Sequence, residues 1–283
     1  MLSGTDRDLA RRIERGHADS GLAAGPDADR EYIAGGVAIF QAVDLPSTQA
    51  LAIGMNGPVT SEELDKLEVF FHTRGSAAII DLCTLADPSA ILFIQQRGYV
   101  IREVTNVIAR LIDPDEQWPA APAEIEIRDV DPQGMRDWAR IVVRGFMDAE
   151  EAPEDQTRMM SRTAPGLHAL LALYRGEPCG GAAMVVAGGM ATFVGDANLL
   201  NARGHGVQRA LIDHRLRQAA AMGCDLASAS VWPGSISHRN YERAGFQLVY
   251  ARIMVSLPPT RHAERSSDPA EQPVAPVDTP RKR

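Results

Sequence analysis

The sequence has few of the residues on which disulfide-rich and metal-binding proteins depend. Its three cysteines, Cys83, Cys179 and Cys224, are widely spaced and form no CxxC pair, so they cannot all be disulfide-bonded within one chain. We interpret them as small buried hydrophobic residues in a reducing compartment. None of the seven histidines belongs to an HxxxH or HExxH pair, and the sequence therefore predicts no metal site.

Long apolar runs and an excess of basic residues are also missing. No run approaches the roughly 20 apolar residues of a membrane helix, and the charged start, MLSGTDRDLARRIERG, lacks the apolar centre of a secretory signal. The formal net charge of -8 argues against a general nucleic-acid binder, because phosphate contacts need a basic surface. We therefore expect a cytoplasmic protein with neither a nucleic-acid partner nor a membrane partner.

What the sequence does contain is an alternation of helical and strand patterns over 283 residues, enough for one large or two ordinary domains. The first part has three predicted helices, over 6–22, 60–75 and 87–98, and Thr60 and Glu63 form a capping box for the second. Its predicted strands lie within 35–45, 48–55, 77–82 and 99–112.

A second series of elements follows the segment 113–123, whose prolines and acidic residues are typical of a linker. Helices are predicted over 131–146, begun by Asp131 and Pro132, and over 207–223 and 237–245. Strands are predicted over 124–130, 168–175, 180–187, 190–198, 226–231 and 246–257. The composition of 258–283, rich in Pro, Ser and charge, predicts a disordered tail.

The two parts of the chain repeat each other in spacing. The intervals from Val59 to Gly75 and from Val207 to Gly223 are equal in length, and each is a predicted helix ended by glycine. A strand, a second helix ended by glycine and a long last strand follow in both parts. We interpret this as two copies of one α/β unit in tandem, 1–112 and 124–257; a chance match of common helix ends is the alternative.

The stretch NARGHGVQRALIDH, 201–214, opens a helix with two glycines where Ser, Thr or Asp is usual. The N–H groups of such a start have no helical partner, and the helix dipole adds partial positive charge, so the turn can bind a phosphate. A Walker loop would require Gly-Lys-Ser/Thr, which is missing. A dinucleotide fingerprint fits poorly because Arg209 stands where a third small residue is needed.

A third possibility comes from the segment RGHGVQ, 203–208, which resembles the Arg/Gln-x-x-Gly-x-Gly/Ala loop of the GNAT acetyltransferase superfamily. Downstream, YERAGF, 241–246, is similar to the Tyr-x-x-x-Gly-Phe segment of that superfamily. The resemblance covers 124–257 in order and spacing. It implies an α/β (α+β) fold of two tandem GNAT-like units, each a mixed, mostly antiparallel twisted sheet flanked by helices, with acetyl-CoA in a splayed gap of the sheet.

The resemblance also implies an activity and a set of binding residues. The activity is transfer of an acetyl group from acetyl-CoA, the co-substrate, to an amine of a small molecule or peptide by direct attack in a ternary complex. Loop and helix-start amides would hold the pyrophosphate, and a strand end would pair with the pantetheine arm. The implied residues are Ala197, Asn198, Leu199, Arg203, Gly204, His205, Gly206, Val207, Gln208, Arg209 and Asn240. Gln208 departs from the superfamily's Gly or Ala, and we expect its side chain to turn outward.

Tyr241 is the candidate catalytic residue, because the superfamily often places a general acid four residues before the glycine of this segment. A phenol with an ordinary pKa of about 10 is well matched to return a proton to the CoA thiolate. The alternative is an aromatic side chain that packs the last helix against the sheet. For the proton lost by the acceptor amine, the acidic run after the helix 131–146 offers Glu150, Glu151 and Glu154, or ordered water could carry it.

The first copy provides an internal comparison, in which MNGPV aligns with RGHGV. Pro58 has no N–H to donate, and acidic residues load the following helix start, so we expect 1–112 to bind no CoA and to complete the substrate cleft. At the position of Tyr241 the first copy has Ile94. The rival to an enzyme is a non-catalytic acyl-CoA sensor or interaction module, which would keep the loop without needing Tyr241.

Overall fold

Seven α-helices and eleven strands are formed by the residues that the structure, a computed structural model, describes: 6–19, 28–43, 45–162 and 166–259. The helices are α1 (Asp6–Asp19), α2 (Ser61–His72), α3 (Pro88–Gln96), α4 (Met135–Met147), α5 (Glu154–Met160), α6 (Val207–Ala221) and α7 (Ile236–Arg243). The strands are β1 (Asp29–Ile33), β2 (Gly36–Phe40), β3 (Gln49–Leu51), β4 (Ala78–Cys83), β5 (Val100–Leu111), β6 (Ile125–Asp129), β7 (Leu167–Tyr174), β8 (Glu177–Ala187), β9 (Met190–Asn198), β10 (Leu226–Val231) and β11 (Gln247–Leu257). Residues 20–22 of the first predicted helix, and the predicted tail from 260 onward, lie outside the described residues.

All eleven strands belong to one mixed sheet, in the order β1-β2-β3-β4-β11-β5-β10-β9-β8-β7-β6. Neighbouring strands are antiparallel except in two pairs, β3 with β4 and β9 with β10, which are parallel. The order is symmetric about the contact between β11 and β5, so that β4 corresponds to β10, β3 to β9, β2 to β8 and β1 to β7. The predicted fold class, two tandem units of mixed, mostly antiparallel sheet flanked by helices, is confirmed.

The long last strand of each unit lies inside the other unit. β11 comes from the second unit, yet it pairs antiparallel with both β4 and β5 of the first. β5 comes from the first unit and pairs antiparallel with both β11 and β10 of the second. Each strand therefore has a partner on both sides. Removal of β11 would leave unpaired edges on β4 and β5, and removal of β5 would leave them on β10 and β11.

Helix α1 joins the two units a second time, because it packs against β2 and β3 of the first and against β9 and β11 of the second. Arg12 of this helix forms an ion pair with Asp225, which directly precedes β10. Gly16 lies so close to β9 that a Cβ at this position would stand 2.2 Å from Cε of Met190. A side chain larger than hydrogen at position 16 would therefore require the end of the Met190 side chain to move.

The ends of the predicted helices follow local backbone chemistry. Thr60 and Glu63 form the predicted capping box at the start of α2: the Thr60 hydroxyl accepts from the Glu63 N–H at 3.2 Å, and the Glu63 carboxylate accepts from the Thr60 N–H at 2.8 Å. Gly75 follows the helix with a φ of +71°, the left-handed conformation that favours glycine at a helix end. Asp87 caps α3 by accepting from the Ser89 N–H at 3.0 Å.

Three elements differ from the sequence-based expectation. Helix α4 begins at Met135 rather than at Asp131, because Asp131 accepts from the Gly134 N–H at 2.8 Å and forms a turn before the helix. Strand β1 was not predicted, since four of its five residues are exposed at the edge of the sheet and show no alternation. No helix is predicted over the acidic run after 131–146, yet α5 begins there, and its first turn carries Glu154 and Asp155, which suit the helix dipole.

The prediction that the cysteines are small buried residues is confirmed. All three cysteines are buried and free of disulfide bonds. Among the residues the structure describes, His, Cys, Asp and Glu form no group of three or more that could hold a metal ion. None of the described helices is both long enough and apolar enough to cross a membrane.

We expect neither unit to fold by itself when the chain is cut in the segment 113–123. A fragment 1–112 would lack β11 between β4 and β5, and a fragment 124–257 would lack β5 between β10 and β11. Urea unfolding followed by far-UV circular dichroism should show no cooperative transition for either fragment, whereas an equimolar mixture should recover one. Cooperative unfolding of 124–257 alone would contradict a structural requirement for the exchanged strand.

Candidate functional site

The second unit contains a splayed gap in the sheet between β9 and β10. The two strands pair in parallel from Met190 opposite Leu226 to Phe193 opposite Ala229. Beyond this point β9 stays paired with β8 as far as Asn198, while β10 stays paired with β5 to its end. The two strands therefore separate within the sheet, and their facing edges leave room for an extended ligand.

A β-bulge in β9 sets which side chains face each side of this gap. The register with β8 shifts between Gly181 and Ala183, and Gly195 at the bulge has a φ of +69°. A Cβ on Gly195 would stand 3.4 Å from the indole ring of Trp138. Because of the extra residue, Phe193 and Asp196 both face α6. Val194 and Ala197 face α4 on the other side of the sheet.

The start of α6 lies next to the splayed end of β9. Gly206 has a φ of +84° and Gly204 a φ of +82°, and within the described residues no side chain caps the helix. Both glycines are exposed. A Cβ added to either one would have no atom of the described residues within 4 Å. The first N–H groups of the helix, from Val207 to Arg209, are thus presented together toward solvent.

The basic residues of this loop are already engaged. Arg203 forms an ion pair with Asp148 and donates to the carbonyl oxygen of Asn198 at 3.3 Å, which ties the end of β9 to the end of α4. His205 stacks on the ring of Tyr174 with a centroid distance of 4.6 Å. Both side chains therefore help to hold the loop in place.

Arg209 points away from the glycines. Its Nε donates to the Asp213 carboxylate at 2.7 Å, and its Nη1 donates to the carbonyl oxygen of Arg243 at 2.9 Å. The predicted phosphate contact of Arg209 is thus confined to its backbone N–H unless the side chain leaves Asp213. A cavity of about 240 Å³ lies beside this side chain. Its lining includes Pro119, Pro122, Gly206, Arg209, His214 and Arg217.

Gln208 does not turn outward as expected, and this expectation is wrong. Its Nε2 donates to the Ser237 hydroxyl at 2.9 Å, and its Oε1 accepts from the Asn240 amide at 2.7 Å. Asn240 in turn accepts from Arg243 at 3.0 Å. The side chain therefore joins α6 to α7, because a half-buried amide is stabilised by hydrogen bonds on both of its polar atoms, and the N–H of Gln208 stays at the helix start.

The other predicted binding residues lie along the splayed strand end. Ala197 and Asn198 are paired with Gly181 and Gly180 of β8, and the Leu199 N–H donates to the carbonyl oxygen of Cys179 at 2.8 Å. One edge of this segment is held by β8, and the other edge faces the gap. The three residues are thus brought together with the glycine turn, as the resemblance implied for a pantetheine-binding edge.

Tyr241 is buried between the sheet and α6, with 1% of its surface exposed. Its hydroxyl donates to the Asp196 carboxylate at 2.8 Å and accepts from Nη2 of Arg215 at 3.3 Å. Arg215 also forms an ion pair with Asp196. Burial raises the pKa of the Tyr241 hydroxyl well above its usual range; Arg215 opposes this change and the Asp196 carboxylate adds to it.

The partners of Tyr241 were not identified from the sequence. On sequence alone, Asp196 is one residue of the predicted strand 190–198, and no motif gives Arg215 a role. A signal for Arg215 does exist, because it stands on the apolar face of α6 beside Leu211, Ile212 and Leu216, where a charged residue requires a buried partner. The identity of that partner, however, depends on the bulge in β9.

A second cavity, of about 430 Å³, lies on the face of the sheet opposite α6, between α1, α4 and α5. Both units line it: Gln41, Ser47, Gln49, Leu51 and Asp81 come from the first, and Trp138, Phe146, Met159, Met160, Leu167, Val194, Gly195 and Arg252 from the second. His17, Pro46 and Arg162 complete the lining. The cavity touches β9 at the bulge, where the pairing with β10 has just ended.

The carboxylates that were candidates for accepting a proton do not line this cavity. Glu150 and Glu151 are exposed after the end of α4, and Glu154 forms an ion pair with Arg136 at 2.5 Å. The carboxylate that does line the cavity is Asp81 of β4, in the first unit. No sequence motif marked Asp81, since only the arrangement of the two units brings it to this site.

Asp81 belongs to a buried group of charges. Arg252 lies 3.5 Å from its carboxylate and donates through Nε to Glu14 of α1 at 2.7 Å. Glu14 also accepts from the Tyr250 hydroxyl at 2.5 Å. Burial raises the pKa of the Asp81 carboxyl to about 6; Arg252 opposes this change, and the Glu14 charge reinforces it.

Comparison with known proteins shows which solved structures share this fold. No protein-family model matches the sequence, and no curated protein matches it. Among solved structures, the GCN5-related N-acetyltransferase from Kribbella flavida is 18% identical and superimposes with a TM-score of 0.66, over 90% of this chain and 98% of that chain. A tandem GNAT protein from the clavulanic acid biosynthesis pathway is 14% identical, with a TM-score of 0.56 over 89% of this chain and 94% of that chain.

The chain has a tandem GNAT fold. A conserved protein of unknown function from Staphylococcus epidermidis also shares it, at 12% identity and a TM-score of 0.55, over 82% of this chain and 95% of that chain. In this tandem GNAT fold the second unit supplies the splayed strands and the uncapped start of α6. The corresponding helix of the first unit, α2, begins with a complete capping box.

The raised pKa of Asp81 predicts a pH-dependent contribution to stability. The native carboxyl holds its proton more tightly than the unfolded chain does, so the contribution is complete below the ordinary pKa of 3.8 and is lost as the pH rises through about 6. Asn does not titrate, so Asp81→Asn removes this loss. The free energy of unfolding of Asp81→Asn minus that of wild type is the quantity of interest. We expect this difference to increase by up to about 3 kcal/mol from acid to neutral pH, because a pKa unit corresponds to about 1.4 kcal/mol.

Urea unfolding of both proteins at a series of pH values from about 3.5 to about 7.5 provides the measurement. A difference between the two proteins that is constant across this series would show that Asp81 does not titrate differently in the folded state.

Proposed function

We propose that the second unit binds acetyl-CoA and transfers its acetyl group to an amine, in a ternary complex and without a covalent enzyme intermediate. The observation that carries the proposal is the position of the uncapped start of α6 beside the gap between β9 and β10. A diphosphate and an extended arm are the two parts of CoA that such a pair of features suits. The named neighbours include an N-acetyltransferase, which agrees with this chemistry.

The residues at the helix start fit the diphosphate. Gly204 and Gly206 adopt left-handed backbone conformations, and a Cβ would keep an anion away from the backbone at these positions. Three N–H groups without a side-chain cap and the positive end of the helix dipole favour negative charge there. The neighbouring cavity of about 240 Å³, lined by Arg209, His214 and Arg217, would take the nucleotide part of the same molecule.

The second unit also provides groups suited to the reaction. Acetyl-CoA, as co-substrate, supplies the acetyl group: the amine nitrogen bonds to the thioester carbon, the carbon–sulfur bond breaks, and CoA leaves as its thiol. A strand N–H near Asn198 would donate to the carbonyl oxygen. Tyr241 would give its hydroxyl proton to the CoA thiolate, and the guanidinium of Arg215, 3.3 Å from its oxygen, would stabilise the phenolate that remains. The proton lost by the amine nitrogen would pass to water, and water would return a proton to Tyr241.

A non-catalytic acyl-CoA sensor is the second candidate function. The observation in its favour is that the Tyr241 hydroxyl is fully buried and already donates to Asp196, as an aromatic residue with only a packing role would. A sensor would share the glycine turn and the gap with the enzyme. It would differ in showing no turnover with any amine.

The two helix starts allow a matched test of CoA binding. Gly206→Glu places a carboxylate among the free N–H groups and a side chain on a backbone with φ of +84°. We expect its Kd for CoA to increase at least about a hundredfold, which corresponds to about 2.7 kcal/mol. Pro58→Gly in the first unit should create no second site, because Thr60 and Glu63 already satisfy the start of α2. Isothermal titration calorimetry with CoA measures both, and unchanged affinity in the Gly206 variant would overturn the assignment of the site.

The role of Tyr241 is tested by Tyr241→Phe. If Tyr241 is the general acid, kcat should fall about a hundredfold or more, while the Kd for CoA stays within about twofold, since the phenol does not contribute to the diphosphate site. Because burial raises the pKa of the Tyr241 hydroxyl well above its usual range, the informative quantity is kcat near neutral pH and not an alkaline limb of the pH–rate profile. A variant with wild-type kcat would assign Tyr241 to packing alone.

A further inference from the structure

We infer that the cavity of about 430 Å³ between the two units binds the acceptor, and that it selects a small primary amine carried on an apolar body. This inference rests on the proposed function for its chemistry but not for its binding site. It adds the first unit to the site, since the polar wall of the cavity, including the carboxylate that would hold the ammonium group, comes mainly from that unit.

The position of the cavity is the first argument. Val194 and Gly195 form part of its wall at the bulge where β9 leaves β10. Phe193 and Asp196 face α6 on the other side of the sheet. A ligand in the cavity and an extended ligand in the gap would therefore approach the same strand segment from opposite faces.

The apolar wall is the second argument. It consists of side chains from α4, α5 and the strands next to them: Trp138, Phe146, Met159, Met160, Leu167 and Val194. Methionine side chains adapt to apolar groups of different shape, and aromatic rings supply large contact areas. A cavity of this size lies within the range of small-molecule sites, and its lining favours a hydrocarbon or aromatic body.

The charges of the opposite wall are the third argument. Asp81, Glu14 and Arg252 form one connected group with two carboxylates and one guanidinium, so its formal charge is one negative unit. Burial, and then the charge of Arg252, lower the pKa of His17 well below its usual range, so at neutral pH this histidine adds no charge. Arg162 lines the cavity from an exposed position. One bound ammonium group would balance the buried group.

An acceptor atom without a hydrogen-bond partner points to the same ligand. Within the described part of the chain, Oε1 of Gln49 is buried without a hydrogen bond, and Gln49 lines the cavity. Nη2 of Arg252 is also without a hydrogen bond there, but it is a donor and is not paired by an ammonium group. The ion pair of Asp81 with Arg252 is long, at 3.5 Å. An ammonium group has three N–H donors and no acceptor, so the Gln49 oxygen and the Asp81 carboxylate could both accept from it.

The experiment measures amine binding to the full-length protein by isothermal titration calorimetry, with no CoA compound present. The probes are 2-phenylethylamine and hexylamine, their alcohol counterparts 2-phenylethanol and 1-hexanol, and putrescine, which has little apolar surface. We expect both apolar amines to bind and the alcohols and putrescine to bind at least about tenfold more weakly. Equal binding of an amine and its alcohol, or binding of putrescine alone, would overturn the inference, and so would the failure of both apolar amines to bind.

Variants locate the site. Asp81→Asn should weaken 2-phenylethylamine binding about tenfold or more and leave binding of 2-phenylethanol unchanged. Glu62→Gln, which removes an exposed carboxylate of α2 outside the cavity lining, is the matched control and should bind the amine as wild type does. If Asp81→Asn does not fold, Gln49→Leu tests the same wall and should weaken amine binding at least about threefold. Wild-type amine affinity in Asp81→Asn, or in Gln49→Leu if Asp81→Asn does not fold, would contradict the placement of the ammonium group at this wall.

The outcomes separate this inference from the proposed function. Binding of apolar amines that Asp81→Asn weakens, together with no CoA binding, would support the cavity and overturn the acetyltransferase proposal. CoA-dependent acetylation of putrescine or of peptides, with no transfer to apolar amines, would support the acetyltransferase and overturn the assigned acceptor class.

Discussion

The rest of the molecule depends on the exchange of β5 and β11 between the two units. Each strand pairs on both edges, and each lies between strands of the other unit. The exchange places β4 of the first unit two strands from β5 and thus fixes the position of Asp81 relative to the second unit. Helix α1 reinforces this arrangement, because its Glu14 joins Tyr250 and Arg252 of the exchanged strand β11. The cavity between the units is a consequence of this interlocking.

The two units share their sequence spacing but differ in the chemistry of their helix starts. Helices α2 and α6 follow the first strand of equivalent parallel pairs, β3 with β4 and β9 with β10. In α2 the start is satisfied by Thr60 and Glu63, and in α6 it is left open by Gly206. The start of α2 in the first unit is therefore stabilised by its own cap, whereas the start of α6 in the second unit presents backbone donors beside the gap. The capped unit contributes side chains to the cavity of about 430 Å³ instead, with Asp81 and Gln49 in its wall.

Buried charge is concentrated on the two faces of the sheet that flank the gap. On one face Arg215 is paired with Asp196 and contacts Tyr241; on the other, Arg252 is paired with Glu14 and lies near Asp81. Burial of such charges is unfavourable unless their partners are well placed. The first group lies at β9 and the second at β4 and β11, and the two groups stand on opposite faces of the sheet.

The sequence by itself determined the features that depend on local backbone chemistry: the repeat, the bounds of most helices and strands, the capping box of α2 and the glycine turn before α6. It also placed Gly206 and Asn198 near each other, because a strand end and the next helix start are joined by a short loop. Only the tertiary structure decided the exchange of β5 and β11, the partners of Tyr241 and the entry of Asp81 into the cavity. These contacts join residues far apart in the chain, as Glu14 and Tyr250 are, 236 positions apart. No local pattern specifies such pairs, since they depend on strand register, on the bulge at Gly195 and on the packing of α1.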